Sequence, residues 1–405
     1  MSTFERVREI PRNIWAVSLT SFLTDISSEM VVYLLPLFLV NVLGVRIGIV
    51  GLIEGVAEAT ASLLKLFSGW FSDRVGGRKW VAVTGYAISA FSKPFYYFAG
   101  SARIVASVRW ADRVGKGIRT APRDALVADS VAPEQRGIAF GFHRAADTAG
   151  AVVGLLIALL VVWFTQSGAL SLDKSTFQTL VLISLIPAFM GVLALVVMAR
   201  DVPVMEQRAA PKFRLKGLGR PFLTFLFIIA IFELGNASDA FLILRAQERG
   251  LSVAGILVLI LVFNLVYALV STPAGSLSDR IGRRRLLIAG FLLYAGVYLG
   301  FAFVQESWHV FLLYIFYGIY YGLTSGTAKA VVADLVPDIL RGTAYGSYNA
   351  VLGIMDLPAS LLAGILWQGV GSWQGFGPAA PFFFGGMLAL LAAILMFLWR
   401  PTGVK

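Results

Sequence analysis

The residues best able to do chemistry in this sequence are ionisable side chains set inside otherwise apolar runs. The cations are Lys65, Lys93, Arg109, Arg113, Lys116, Arg119, Arg123, Arg144 and Lys329; the acids are Asp25, Glu29, Glu54, Glu58, Asp112, Asp124, Asp147, Glu233, Asp239 and Asp356. On insertion scales a charge at the centre of a hydrocarbon layer costs roughly 2.5 to 3.5 kcal/mol. Facing lipid, the cations alone would cost on the order of 20 to 30 kcal/mol, more than a typical folding stability. They are expected to face one another, protein polar groups or a water-filled cavity.

Helical spacing supports convergence. Asp25 and Glu29 stand one turn apart, and Glu54, Glu58 and Lys65 fall within about 40° at roughly 100° per residue. Arg109, Asp112, Arg113, Lys116 and Arg123 share a stripe about 100° wide, and His143 and Asp147 share a face. Guanidinium suits carboxylate and phosphate bidentately. Arg109, Arg113, Lys116 and Arg123, with His143 and Asp147, are therefore candidates for holding an anionic group; the same pattern also suits a permanent ion-pair lattice. A carboxylate in a partly dry cavity can load and release a proton as its exposure changes. That makes Asp25, Glu29, Glu54, Glu58 and Asp239 the candidates for carrying protons. Asp239 enters because Phe22-x5-Ser28-Glu29 matches Phe232-x5-Ser238-Asp239 at an offset of 210. Tyr314, Tyr317, Tyr320, Tyr321 and Tyr345 offer half-polar aromatic surface, with Tyr317 and Tyr321 the candidates for lining a solute path; packing is the competing use.

The elements that position these groups follow from composition. The 405 residues are 58% hydrophobic and 14% charged, with no cysteine and two histidines. That is too apolar for a water-soluble chain. It excludes a disulfide framework and leaves little for thiolate or imidazole ligation, so no metal site is expected. Apolar runs predict twelve transmembrane helices, near residues 13–41, 47–71, 80–99, 102–129, 137–164, 177–199, 220–244, 251–278, 286–304, 308–335, 342–369 and 380–399. The fold class expected is an all-α membrane protein. The opening stretch MSTFERVREIPRN reads as a retained tail rather than a cleaved signal. Of the 34 Lys and Arg, five (Arg46, Arg103, Lys174, Arg245, Arg249) fall in the loops of one side and twenty in those of the other. The bias places both termini in the cytoplasm of a multi-pass protein of the inner membrane. A basic stretch, 200–219, reads as a cytoplasmic linker between six-helix bundles at 1–199 and 220–405.

The two halves look like copies. ALVADSVAPEQRGIAFG from Ala125 matches AVVADLVPDILRGTAYG from Ala330 at an offset of 205, and GWFSDRVGGRK from Gly69 matches GSLSDRIGRRR from Gly275 at an offset of 206. Such duplication is typical of transporters whose halves rock about a pseudo-twofold axis. Within the repeated loop, Gly69 and Gly275 permit close approach of a neighbouring backbone, and Gly76 and Gly282 a tight turn. Asp73 and Asp279 are placed to cap an adjacent helix. Arg78 is expected to pair with Asp129. With Arg74, Arg136, Arg280, Asp334 and Arg341 these residues are expected to form a conformational latch.

These repeated motifs, with Asp129-x3-Pro133-x2-Arg136-Gly137 and Asp334-x2-Pro337-x3-Arg341-Gly342, resemble the major facilitator superfamily over nearly the whole chain. The resemblance implies two pseudo-symmetric six-helix bundles, alternating access, and secondary transport driven by a proton or solute gradient. Gly141, Gly150 and Gly154 match the fifth-helix glycine spacing of its antiporters, although Leu155, Ala158 and Leu159 replace the proline and glycines that follow. Arg113 and Gly117 loosely resemble a fourth-helix element that the family associates with proton coupling.

The function expected is proton-coupled export of a small organic solute. Uptake of an organic anion, or a non-transporting membrane enzyme or receptor, are the alternatives. The chain is not expected to be an enzyme, and no catalytic residue is assigned. Its expected partners are a small molecule, protons and the lipid bilayer, without nucleic acid or cofactor, and it is expected to act as a monomer. No phosphate-binding Gly-Lys-Ser/Thr loop occurs, which argues against ATP as energy source.

Overall fold

A computed structural model describes residues 11–75, 77–132, 135–201, 217–337 and 340–400, except the side chains of Leu66, Asp73 and Val75. The expected amino-terminal tail up to residue 10, most of the 200–219 linker, Gly76 and the Asp73 side chain lie outside that description. The described residues are helical throughout their ordered elements, in chain order α1 (Arg12–Val32, continued by Leu35–Leu37 and a π-helical turn Phe38–Val42), α2 (Ile47–Val75), α3 (Arg78–Ser92, continued by Pro94–Tyr97), α4 (Ala102–Asp129), α5 (Arg136–Gln166) and α6 (Lys174–Met198). There follow α7 in two pieces (Gly219–Leu234 and Ala240–Glu248), α8 (Val253–Ile281), α9 (Arg283–Phe303), α10 (Ser307–Leu335), α11 (Arg341–Gln368) and α12 (Ala380–Leu398). At about 1.5 Å per residue even the shortest of the unbroken helices, α12 with 19 residues, is close to the hydrocarbon thickness of a bilayer. Phe164, Leu193, Phe227 and Leu269 are among the many large apolar side chains left exposed, as expected of surfaces facing lipid tails.

The chain forms two compact units: Met1–Leu43 with Thr60–Gln166 and Leu172–Pro211, and Gly44–Ala59 with Ser167–Ser171 and Lys212–Lys405. The division passes through α2, whose first turns belong with the second unit. There a Cβ on Gly55 would lie 2.9 Å from Leu357 Cα, so α2 and α11 meet backbone to backbone. In the first unit α1 packs on α5 and α6, and α3 on α4 and α6. The second unit repeats these pairs as α7 on α11 and α12, and α9 on α10 and α12.

Glycines make the repeat visible in atoms. A Cβ on Gly117 would lie 2.6 Å from Leu64 Cβ, and one on Gly322, 205 residues later, 2.8 Å from Val270 Cβ. Gly85 meets Arg119 in the same way that Gly290 meets Thr324, again 205 residues on. The change from an offset of 206 before the loop to 205 after it has a local cause. α2 is described to Val75 and α3 from Arg78, whereas Gly282 alone, at φ +98°, separates α8, ending at Ile281, from α9, starting at Arg283.

Candidate functional site

The stripe on α4 faces inward, as the cost of exposing it requires. Arg109, Asp112, Arg113 and Arg119 are buried, as is Lys93 on α3, while Lys116 and Arg123 are half-buried. Lys93 Nζ donates to Ser27 Oγ and, at 3.1 Å, to Ser28 Oγ on α1. Arg119 donates to Ser89 Oγ at 2.6 Å and lies over the Tyr86 ring, 4.6 Å from its centroid. Arg123 pairs with Asp124 at 2.8 Å and reaches Ser21 Oγ at 3.4 Å. Around Asp25 stand Lys116, Arg119, Arg123 and Asp147; around Glu29 stand Asp25, Arg113 and Lys116. Arg109, Arg113, Lys93 and Arg119 surround Asp112. Thus α1, α3, α4 and α5 bring Asp25, Glu29, Asp147 and the cations of α4 into one ionic network. Each helix contributes one face because its charges recur every three or four residues.

His143 is buried with its Nε2 3.8 Å from Asp147 Oδ2, and neither ring nitrogen has a hydrogen-bond partner among the described residues. Arg144 departs from the inward-facing expectation, with a side chain 69% exposed and 3.9 Å from Asp147. Lys329 is exposed as well. Both lie within a few turns of a helix end, where a long side chain can reach water.

Glu54 and Glu58 belong to the second unit and act on Asp239. Asp239 closes a break in α7: residues 235–239, Gly-Asn-Ala-Ser-Asp, leave the helix between Leu234 and Ala240. The run expected near 220–244 is therefore not one continuous helix. Gly, Asn, Ser and Asp all favour non-helical backbone or compete for its hydrogen bonds. The match of Glu29 to Asp239 holds in sequence but not in conformation, since Glu29 sits inside unbroken helix.

Tyrosines surround this break. Tyr317 OH donates to Asp239 Oδ1 at 2.8 Å, Tyr294 OH donates to Asn236 Oδ1 at 3.0 Å, and Asn236 Nδ2 donates to Glu233 at 2.9 Å. Tyr321 packs edge-on against Tyr317, Phe263 and Tyr267. Tyr345 stands apart, donating to the Lys329 carbonyl at 3.1 Å. The 205-residue equivalence relates the two sites position by position. Ser89, Lys93, Arg109, Asp112 and Lys116 correspond to Tyr294, Tyr298, Tyr314, Tyr317 and Tyr321. Tyr294 and Tyr298 carried no signal of their own in the sequence, but that offset applied beyond the motifs points to them.

At the repeated loops, Arg78 pairs with Asp129 at 2.6 Å as expected, and the second copy pairs Arg283 with Asp334 at 2.5 Å. The motif alignment had matched Arg78 to Arg284. The one-residue difference between the loops moves the equivalence to Arg283, and Arg284 instead donates to the Met396 carbonyl at the end of α12, as Lys79 does to Val196 at the end of α6. Each ion pair closes within its own unit. Asp279 does not cap α9; it faces Arg283 at 3.5 Å, because Gly282 occupies the cap position. Gly275 makes no close approach, with nothing within 4 Å of its Cβ position, whereas Gly69 lies against Ala121. Arg74 lies over Trp70, Arg136 donates to the Ala128 carbonyl, and Arg280 and Arg341 are exposed.

A duplicated, all-helical chain that buries ions in one unit and tyrosines in the other has the build of a multi-pass membrane transporter. The chain belongs to the major facilitator superfamily, whose family model matches residues 17–244 and 223–405. It is 35% identical over 398 residues to the MFS-type transporter MJ1317 of Methanocaldococcus jannaschii, covering 97% of this chain and 96% of that one. Over 155 residues it is 32% identical to the multidrug resistance protein MdtH of Aeromonas hydrophila, 38% of each chain. A crystal structure of a mutant of the nucleoside transporter NupG matches with a TM-score of 0.77 at 13% identity, covering 96% of this chain and 100% of that one. That likeness is one of fold, the two-domain twelve-helix arrangement of the superfamily.

Proposed function

We propose that this transporter exports a small organic solute from the cytoplasm in exchange for protons, by alternating access, with no catalytic step. The observation that supports this most is the ionic network around Asp25 and Glu29. Carboxylates shut among cations on α1 and α4 can change proton occupancy as their surroundings open and close. Similarity over 38% of the chain to a multidrug resistance protein favours the outward direction. In this reading Asp25 and Glu29 carry the proton, Arg109, Arg113, Lys116, Arg123, His143 and Asp147 hold the network in register with it, and the tyrosine-lined unit handles the solute. The loop ion pairs Arg78–Asp129 and Arg283–Asp334 brace the repeated loops within each unit, so that the loops can serve as the latch. The protein works as a monomer in the inner membrane with both termini cytoplasmic.

Inverted membrane vesicles with an acidic lumen test the proposal. An exporter accumulates solute in the lumen as protons leave, and Glu29→Gln and Arg113→Ala lose that accumulation. Uptake of an organic anion is the second reading, favoured by the cation-rich face of α4. It predicts no accumulation driven by an acidic lumen. Undiminished accumulation by both variants would refute the role given to the network.

A further inference from the structure

We propose that Arg284, Arg285 and Arg400 form a binding site for the phosphate of an anionic phospholipid whose acyl chains lie along the apolar end of α12. The site concerns the bilayer rather than the solute or the proton. It draws on the orientation proposed above only for which leaflet supplies the lipid.

The first observation is a convergence of cations in the second unit. Arg284 Nε donates to the Met396 carbonyl at 2.9 Å and its Nη2 donates to the Phe397 carbonyl, so this guanidinium is held against the last turn of α12. Among the described residues, the charges acting on Arg284 are those of Arg400 and Arg285, both positive. Like charges brought together repel, and an anion seated among them removes the repulsion. While Arg284 serves the α12 carbonyls, Arg285 and Arg400 are exposed and available to a ligand.

The repeat shows where the anion comes from. α6 and α12 end alike: the Ala199 N–H donates to the Leu195 carbonyl at 3.1 Å and, 200 residues later, the Trp399 N–H donates to the Leu395 carbonyl at 2.9 Å. Lys79 meets the Val196 carbonyl as Arg284 meets that of Met396. Lys79, Trp80, Arg200 and Asp201 of the first unit therefore correspond to Arg284, Arg285, Arg400 and Pro401 of the second. The first unit sets Asp201 beside its cations, with Oδ1 accepting the Lys79 backbone N–H at 2.8 Å. The second has one cation more and a proline in the place of the acid, so its counter-charge is supplied from outside the chain.

The neighbouring surface selects a lipid over a soluble anion. Ile394, Phe397 and Leu398, in the last turns of α12, are 56%, 59% and 66% exposed, as side chains facing lipid tails are. A phosphate with acyl chains attached gains from both the guanidinium groups and this apolar strip. Guanidinium takes phosphate bidentately, and basic clusters at the end of a span attract anionic headgroups.

Native mass spectrometry of delipidated protein, titrated with phosphatidylglycerol and with phosphatidylcholine of the same chains, tests the site. The wild type is expected to bind the first phosphatidylglycerol at least about tenfold tighter than the first phosphatidylcholine. Arg285→Gln and Arg400→Gln should each weaken phosphatidylglycerol binding about fivefold, and the double variant about twenty-five-fold. Arg103→Gln, an equal loss of charge at the exposed start of α4, should leave it unchanged. Glycerol 3-phosphate, which carries the phosphate without chains, should not displace the lipid. Equal affinity for the two lipids, an unaltered double variant with the wild-type unfolding midpoint, or the same loss in Arg103→Gln would each overturn the site. Displacement by glycerol 3-phosphate would assign the arginines to a free phosphate and overturn the lipid.

Discussion

Gly154→Ala should loosen the contact between α1 and α5, and Gly141→Ala, thirteen residues earlier on the same helix, should not. A Cβ on Gly154 would lie 2.6 Å from the Ile26 carbonyl oxygen, while one on Gly141 meets nothing within 4 Å. Moving from 2.6 Å to the 3.4 Å of ordinary contact requires a shift of 0.8 Å between two backbones that no side-chain rotation can supply. A gap of about 0.5 to 1 Å forfeits roughly a quarter to a half of each dispersion contact it opens, and overpacking of this kind costs about 1 to 3 kcal/mol. Helix propensity returns about 0.5 to 1 kcal/mol at either position. Gly154→Ala is therefore expected to destabilise by about 0.5 to 2 kcal/mol and Gly141→Ala to stabilise by about 0.5 kcal/mol. Thermal unfolding of detergent-solubilised protein followed by tryptophan fluorescence reads the difference. Equal midpoints for the two variants would refute the claim that this glycine serves close helix approach.

The shifted register of the second loop predicts that Arg283 and Asp334 couple in a double-mutant cycle by about 0.5 to 1 kcal/mol, whereas Arg284 and Asp334 show none; the converse would restore the alignment of Arg78 with Arg284. Tyr317→Phe removes the hydroxyl that donates to Asp239 and should cost about 1 kcal/mol of thermal stability. The same change at Tyr345, whose hydroxyl donates to the Lys329 carbonyl near the surface, should cost less, and a larger loss there would count against the account. Ser27→Ala and Ser28→Ala together strip Lys93 of both its hydroxyl partners on α1, so the double variant should fall in unfolding midpoint well beyond either single change; additive small effects would argue that Lys93 rests on the carboxylates alone.

Much of the fold was legible because hydrophobic runs have the length a bilayer demands: the span expected at 308–335 is α10, Ser307–Leu335. The inward stripe on α4 was legible too, since helical periodicity fixes directions on one helix. Periodicity says nothing of what a face meets across space, so the assignment of Glu54 and Glu58 to the second unit could not be read from α2 alone. The α7 break was hidden by apolar flanks on both sides, although its Gly-Asn-Ala-Ser-Asp composition is that of a helix end. Tyr294 and Tyr298 look like ordinary packing residues in α9, and only their correspondence to Ser89 and Lys93 marks their place.

Proton movement driven by solute in the absence of any imposed pH gradient tests the central claim most directly. Proteoliposomes loaded with a transported organic solute and a lumenal pH dye, then diluted into solute-free buffer of the same pH, should acidify inside as the solute leaves, and Glu29→Gln should abolish the acidification. A wild-type lumen that stays at constant pH or turns alkaline while the solute leaves would contradict exchange of solute against protons.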